Sequence, residues 1–306
     1  MRFCIAVLPL ILSLVPCSNG QTPEQPATSF RADTTLVLVP VAVTDKNNRY
    51  VLGLEKENFQ VLEDGAAQNI THFSSEDAPL SVGLIVDVSG SIGTKLGTSR
   101  QAVAEFLKTF NPTDEVFLVE CSDQADVTVP FTHDAAAIEK KLRSATSGGL
   151  TALIDAVRLG IGEMKVARNP RKALLIISDG GDNNSHYSAR EVENLVREAD
   201  VQIYAMGVFE PFTFGLTASE LSGPRVLSEI SEQTGGRALA ATGSRDLPGI
   251  AARIGLELRN QYVLAYSPAN KVRDGKYRKL EVKLLAPDAL PELRARWRLG
   301  YYAPSQ

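Results

Sequence analysis

Val82-Gly83-Leu84-Ile85-Val86-Asp87-Val88-Ser89-Gly90-Ser91 decides the fold of this chain. An apolar run without a polar face reads as a strand covered on both sides, as in a parallel sheet. The strand delivers Asp87, Ser89 and Ser91 at alternate positions of the loop at its carboxyl end. Outward from it, Arg100 to Phe110 has helical spacing, with Ala102, Val103, Phe106, Leu107 and Phe110 on one side. Further strands are expected at Glu115 to Glu120, Ala173 to Ile177 and Val201 to Val208. Helices fit Ala135 to Leu142, Ala152 to Val166, Ala189 to Glu198, Arg225 to Gln233 and Leu247 to Leu258, with Asp134, Ser188 and Asp246 placed as N-caps. Strands alternating with helices imply an α/β domain over residues 79–258, with a doubly wound, mostly parallel sheet.

The flanks read differently. In the stretch 34–78, the β-branched run Leu36 to Thr44 and the strand Phe59 to Glu63 are followed by an Asp64-Gly65 hairpin turn. In 259–306, Gln261 to Tyr266, Tyr277 to Leu284 and Arg294 to Leu299 alternate apolar with polar residues, and Asp274-Gly275 supplies another hairpin turn. Either flank alone is too short for a core. Pairing of 259–306 with 34–78 into one small all-β domain, with the α/β domain inserted between them, is therefore expected.

The first 20 residues, one Arg and then an apolar stretch shorter than a bilayer span, ending in Ser18-Asn19-Gly20, read as a signal peptide cleaved before Gln21. Residues 21–33, polar with two prolines, read as a flexible leader. Cleavage removes Cys4 and Cys17 and leaves Cys121, inside an apolar strand, as a core residue. The expected location is outside the cytoplasm, periplasmic or secreted, with no stable membrane span after cleavage. The 32 Lys and Arg against 36 Asp and Glu, a net charge of −4, with no run of five like charges, argue against nucleic acid as a partner.

Asp87, Ser89 and Ser91 supply three hard oxygens over five residues, with Gly90 easing the turn. Such oxygens suit Mg²⁺, or Mn²⁺ or Ca²⁺, rather than zinc. Two more donors sit at the ends of later elements: Thr151 in Gly148-Gly149-Leu150-Thr151, and Asp179 in Ile176-Ile177-Ser178-Asp179. All should converge on the carboxyl edge of the sheet, where open α/β folds bind ligands. Asp155 fits a carboxylate favouring a helix N-terminus, and Asp182 fits either a partner of a metal-bound water or an Asx turn.

The set Asp87-x-Ser89-x-Ser91, distant Thr151 and distant Asp179 resembles the metal-ion-dependent adhesion site (MIDAS) of von Willebrand factor A-type (VWFA) domains. That resemblance implies a Rossmann-like fold and direct coordination by Ser89 and Ser91. It implies binding by Thr151, Asp87 and Asp179 directly or through water, and an open position for a partner's Asp or Glu. The flanks, Val43-Thr44-Asp45 with Phe59 to Gly65, and Tyr262 to Tyr266, are similar to those of bacterial exported VWFA-related proteins. The resemblance thus implies an exported, metal-dependent protein-binding module used in cell adhesion, and no enzyme. The alternative is a structural or assembly subunit of an envelope complex with a vestigial metal site.

Two enzymatic readings are weaker. Ser89-Gly90-Ser91-Ile92-Gly93 is similar to a hydrolase nucleophile elbow, but its first glycine is replaced by Ser89, and only His186 is near the same edge. A phosphate loop fails because Gly90 to Lys95 lacks the spacing and Leu96 follows Lys95.

Overall fold

The computed structural model describes residues 36–208, 218–285 and 292–305. The signal-peptide and leader readings, with Cys4 and Cys17, lie outside them. In chain order the elements are β1 (Val37–Asp45), β2 (Phe59–Glu63), β3 (Ala66–Gln68), β4 (Ile70–Ser74), β5 (Leu80–Asp87), α1 (Leu96–Leu107), β6 (Glu115–Cys121), β7 (Ala125–Thr132), α2 (Ala135–Ser144), α3 (Leu153–Glu163), β8 (Arg171–Ile177), α4 (Ala189–Glu198), β9 (Gln202–Val208), α5 (Ala218–Gln233), β10 (Ala238–Ala241), α6 (Leu247–Arg259), β11 (Gln261–Tyr266), β12 (Tyr277–Leu284), β13 (Leu293–Arg296) and β14 (Gly300–Tyr302). The described residues form one compact unit.

Six strands build the central sheet in the order β10-β9-β8-β5-β6-β7, parallel except for β7 at one edge. β5 lies in its middle and every one of its residues is buried, the burial its apolar run requires. Leu80, Val82, Leu84 and Val86 pack with α1, α2 and α6 on one face, while Ile85 packs with α3, α4 and α5 on the other. Gly83 is needed because Phe117 crosses it: a Cβ there would lie 2.3 Å from Phe117 Cζ. Cys121 is fully buried in the second of these cores.

The all-β part is built from both chain ends. One sheet has the order β13-β1-β11-β4 and the other β14-β12-β2-β3, so each mixes early and late strands. Val37, Val39, Val41 and Val43 of β1 face the core between them, with Phe59, Tyr262, Leu264, Tyr266 and Val282. Asp64 and Gly65, both at positive φ, close the β2–β3 hairpin. Asp274-Gly275 departs from the expected hairpin: β11 and β12 belong to different sheets, and Asp274 bridges to Ser305.

Other departures have local causes. A 3₁₀ turn at Gly93–Lys95 runs directly into α1, so that helix starts before Arg100 and stops before Phe110. β7 breaks the strand–helix alternation as an antiparallel edge strand, a place where Pro130 is tolerated. Asp134 and Ser188 cap α2 and α4 as expected, but Asp246 makes no cap bond; its carboxylate accepts from Thr242 Oγ1 at 2.5 Å.

Candidate metal centre

Four loops meet at the carboxyl edge of the central sheet. Gly90 N donates to Gly149 O at 3.0 Å and Gly148 N to Val88 O at 2.9 Å, which joins the loop after β5 to the loop before α3. Val88 N donates to Cys121 O at 2.8 Å, and Asn183 N and Asn184 N both reach Thr151 O at 3.0 Å. These bonds bring the segments holding Asp87, Thr151 and Asp179 together from positions far apart in the chain.

Asp87 is the buried floor of the site. Its Oδ1 accepts from Ser89 N at 2.9 Å and its Oδ2 from Ser178 Oγ at 2.7 Å. Burial pushes its carboxyl up to about 6; the hydrogen bonds from Ser89 and Ser178 oppose the rise, and the charge of nearby Asp179 adds to it. Ser89 Oγ lies 3.1 Å from Ser91 Oγ, Ser89 being buried and Ser91 exposed. Thr151 is buried, while Asp179 is half-buried and accepts Gly181 N at 3.1 Å.

This donor set fits a hard divalent cation. Metal–oxygen distances of about 2.0–2.1 Å in an octahedron place neighbouring oxygens about 2.9 Å apart, close to the spacing of the two serine hydroxyls. Among the described residues no group of three or more His, Cys, Asp and Glu side chains converges to hold a metal. The set is instead two carboxylates and three hydroxyls, a donor chemistry for Mg²⁺, Mn²⁺ or Ca²⁺.

Three supporting residues escape a reading of the sequence. Ser178 bridges Asp87 to the Asp179 loop and also accepts Gly180 N at 3.0 Å. Asn183 Oδ1 accepts Thr151 N at 2.8 Å, and Asp123 Oδ1 accepts Leu150 N at 2.8 Å. Only their positions after a strand or beside Asp179 hint at these roles, because the residue types are ordinary in loops.

Asp182 accepts Leu153 N at 3.0 Å and Ser185 Oγ at 2.6 Å, serving α3 as a cap from another loop; burial raises its carboxyl pKa. Asp155 stands in the first turn of α3 and additionally holds the next loop, accepting from His186 N, Tyr187 N and the His186 ring at 2.9–3.2 Å. Burial alone would raise the Asp155 carboxyl, but those bonds hold it below the usual carboxylate range. Ser91 meets Ser89 and His186 meets Asp155; no hydrogen bond joins Ser91 to His186 among the described residues.

Residues 82–181 match the family model of the von Willebrand factor type A domain. An uncharacterized protein of Borreliella burgdorferi is 25% identical over 175 residues, covering 50% of this chain and 51% of the relative. The chain thus spans about half the length of that curated relative. The solved structure of a von Willebrand factor type A protein from Catenulispora acidiphila superposes with a TM-score of 0.52 at 12% identity, covering 90% of this chain and 74% of the other. Proximal thread matrix protein 1 of the mussel byssus superposes with a TM-score of 0.50 at 18% identity, covering 64% and 51%. These superpositions share the fold. The family match falls on β5, its loop and the strand and loop that carry Asp179: the chain carries a von Willebrand factor type A domain.

Proposed function

We propose that the edge formed by Asp87, Ser89, Ser91, Thr151 and Asp179 binds one divalent cation, Mg²⁺ or its analogues Mn²⁺ and Ca²⁺. Through that ion it captures an Asp or Glu side chain of a partner protein. The observation that carries this reading is the pair of serine hydroxyls 3.1 Å apart beside a buried carboxylate whose two oxygens are both fixed. An ion held mainly by neutral hydroxyls keeps its attraction for an incoming carboxylate. Domains of this type are protein-interaction modules, and the module acts without catalysis. The apolar amino-terminal stretch supports export to the periplasm or beyond. Among the described residues no helix is long and apolar enough to cross a membrane.

Titration of Mn²⁺ by calorimetry tests the reading. The parent takes up one ion per chain, and Asp179→Ala and Ser91→Ala, both at positions that are not fully buried, weaken binding while the far-ultraviolet circular dichroism is unchanged. Saturating ion at about one hundred times Kd raises stability by about 2.7 kcal/mol. Unaltered binding in both variants overturns the site.

A second reading is favoured by one feature. Because both oxygens of Asp87 are bonded within the protein, Asp87 braces the edge with no ion at all. The protein is then a structural or assembly subunit of an envelope complex, and its association with partners survives a chelator.

A further inference from the structure

Leu150 immediately precedes Thr151 and is 47% exposed. Single exposed leucines are ordinary on a protein surface, so exposure alone decides nothing. What sets Leu150 apart is how firmly its backbone is held. Its N–H donates to Asp123 Oδ1 at 2.8 Å, and the next N–H, of Thr151, donates to Asn183 Oδ1 at 2.8 Å. Before it, Gly149 has a φ of +76° and its carbonyl accepts Gly90 N at 3.0 Å. A Cβ on Gly149 would lie 2.5 Å from Asp123 Oδ2, so this position admits only glycine while Asp123 stays in place. Asp123 is itself tied down, its carbonyl accepting Asn184 Nδ2 at 2.6 Å. Three other loops therefore fix one backbone segment from which a branched apolar side chain stands in water.

A rigid backbone cannot swing that side chain under cover, and fixing it in advance removes the ordering cost a partner would otherwise meet. Tyr187 adds apolar surface on the loops of the same edge. It is 38% exposed, held by Asp155 through its N–H, and packed under the Arg158 guanidinium at 4.2 Å.

Resting on the metal-dependent capture described above, we propose that Leu150 is a specificity-determining residue of the site. It selects partners in which a bulky apolar side chain lies directly beside the acidic residue that reaches the ion. Partners with a small polar neighbour bind through the ion alone. The exposed part of a leucine, once covered, accounts for about a tenfold preference.

The test uses the full chain on an array of immobilised short peptides. Each carries a central Asp flanked by Leu, Phe, Ser or Lys, with washes in Mg²⁺ and in chelator. Calorimetric Mn²⁺ binding is followed alongside. The parent is expected to hold Leu- and Phe-flanked peptides about tenfold more tightly than Ser-flanked ones, in Mg²⁺ only. Leu150→Ala is expected to lose that preference while keeping its Mn²⁺ affinity and its weak hold on Ser-flanked peptides; Leu150→Met is expected to retain it. Magnesium-dependent capture that ignores the flanking residue, or a preference that survives Leu150→Ala, overturns the role of Leu150 and leaves the metal reading intact. Capture that ignores the chelator, or no capture of any peptide, overturns the metal reading together with this inference. An altered Mn²⁺ affinity in Leu150→Ala overturns the inference by showing that the side chain supports the ion site itself.

Discussion

Glu257 of α6 has no exposed surface, yet its carboxylate faces two arginines. Arg237, just before β10, reaches Oε2 at 2.5 Å, and Arg296 of β13 reaches Oε1 at 3.1 Å. The hydroxyls of Tyr204 on β9 and Tyr50 on the β1–β2 connection each lie 3.3 Å from one of its oxygens. A single charge thus joins the last helix of the α/β domain to both early and late parts of the β sandwich. Glu257→Gln keeps the volume and removes the charge. Breaking a buried pair from one side costs about 3–5 kcal/mol, because the remaining charges stay where water solvates them poorly. Here the arginine side chains are 21% and 26% exposed, so water relieves part of the penalty and the lower end, about 3 kcal/mol, applies. For a chain of this size that is a fall in Tm of about 6 °C.

Urea unfolding followed by two probes measures it. Trp297, the single tryptophan, sits beside Arg296 and donates to Leu280 O at 3.2 Å, so its fluorescence follows the sandwich, while circular dichroism follows the helices. Arg296→Met is the comparison: Arg237 remains to pair Glu257, and a cost of about 1 kcal/mol is expected for a partly exposed partner. A loss below about 1 kcal/mol for Glu257→Gln, or equal losses for the two variants, would refute the view that the carboxylate is the hub.

Gly83→Ala places a methyl group 2.3 Å from Phe117 Cζ and 2.5 Å from Leu174 Cδ2, both fully buried, and an overpacking cost of about 2 kcal/mol is expected in the same urea assay. Asp155→Asn concerns pH. Because the folded pKa of Asp155 lies below its unfolded value, its contribution is present above about pH 4 and lost as pH falls through the folded pKa. The variant should therefore be less stable than the parent at pH 7, by about 1 kcal/mol, with the gap closing in acid. A gap that persists unchanged to pH 2 counts against the charge of Asp155 as its source.

What the sequence makes legible here follows the range of the interaction that specifies it. β12 is bounded where its apolar and polar alternation begins and ends, because alternation is a local property that a half-covered sheet selects. β11, expected from the same alternation, keeps its bounds but is buried at five of its six residues. The start of α1 is hidden, since Leu96-Gly97-Thr98 carries no helix signal and the helix begins there only because the 3₁₀ turn before it feeds the chain in. The Asp274-Gly275 pair has the composition of a hairpin, but its flanking strands go to different sheets, and that choice is made by β1 and β2 more than two hundred residues earlier. The same rule runs through the edge of the central sheet. Asp87, Ser89 and Ser91 declare themselves by spacing within one loop, and Thr151 and Asp179 by following the right elements. Ser178, Asn183 and Asp123 act on partners 91, 32 and 27 residues away, through bonds any loop serine, asparagine or aspartate could make. The chemistry of the edge is therefore written in residue types, while its rigidity is written in pairings that exist only once the loops have met. A substitution that leaves the five oxygen donors untouched and removes only Ser178, Asn183 or Asp123 separates these two layers.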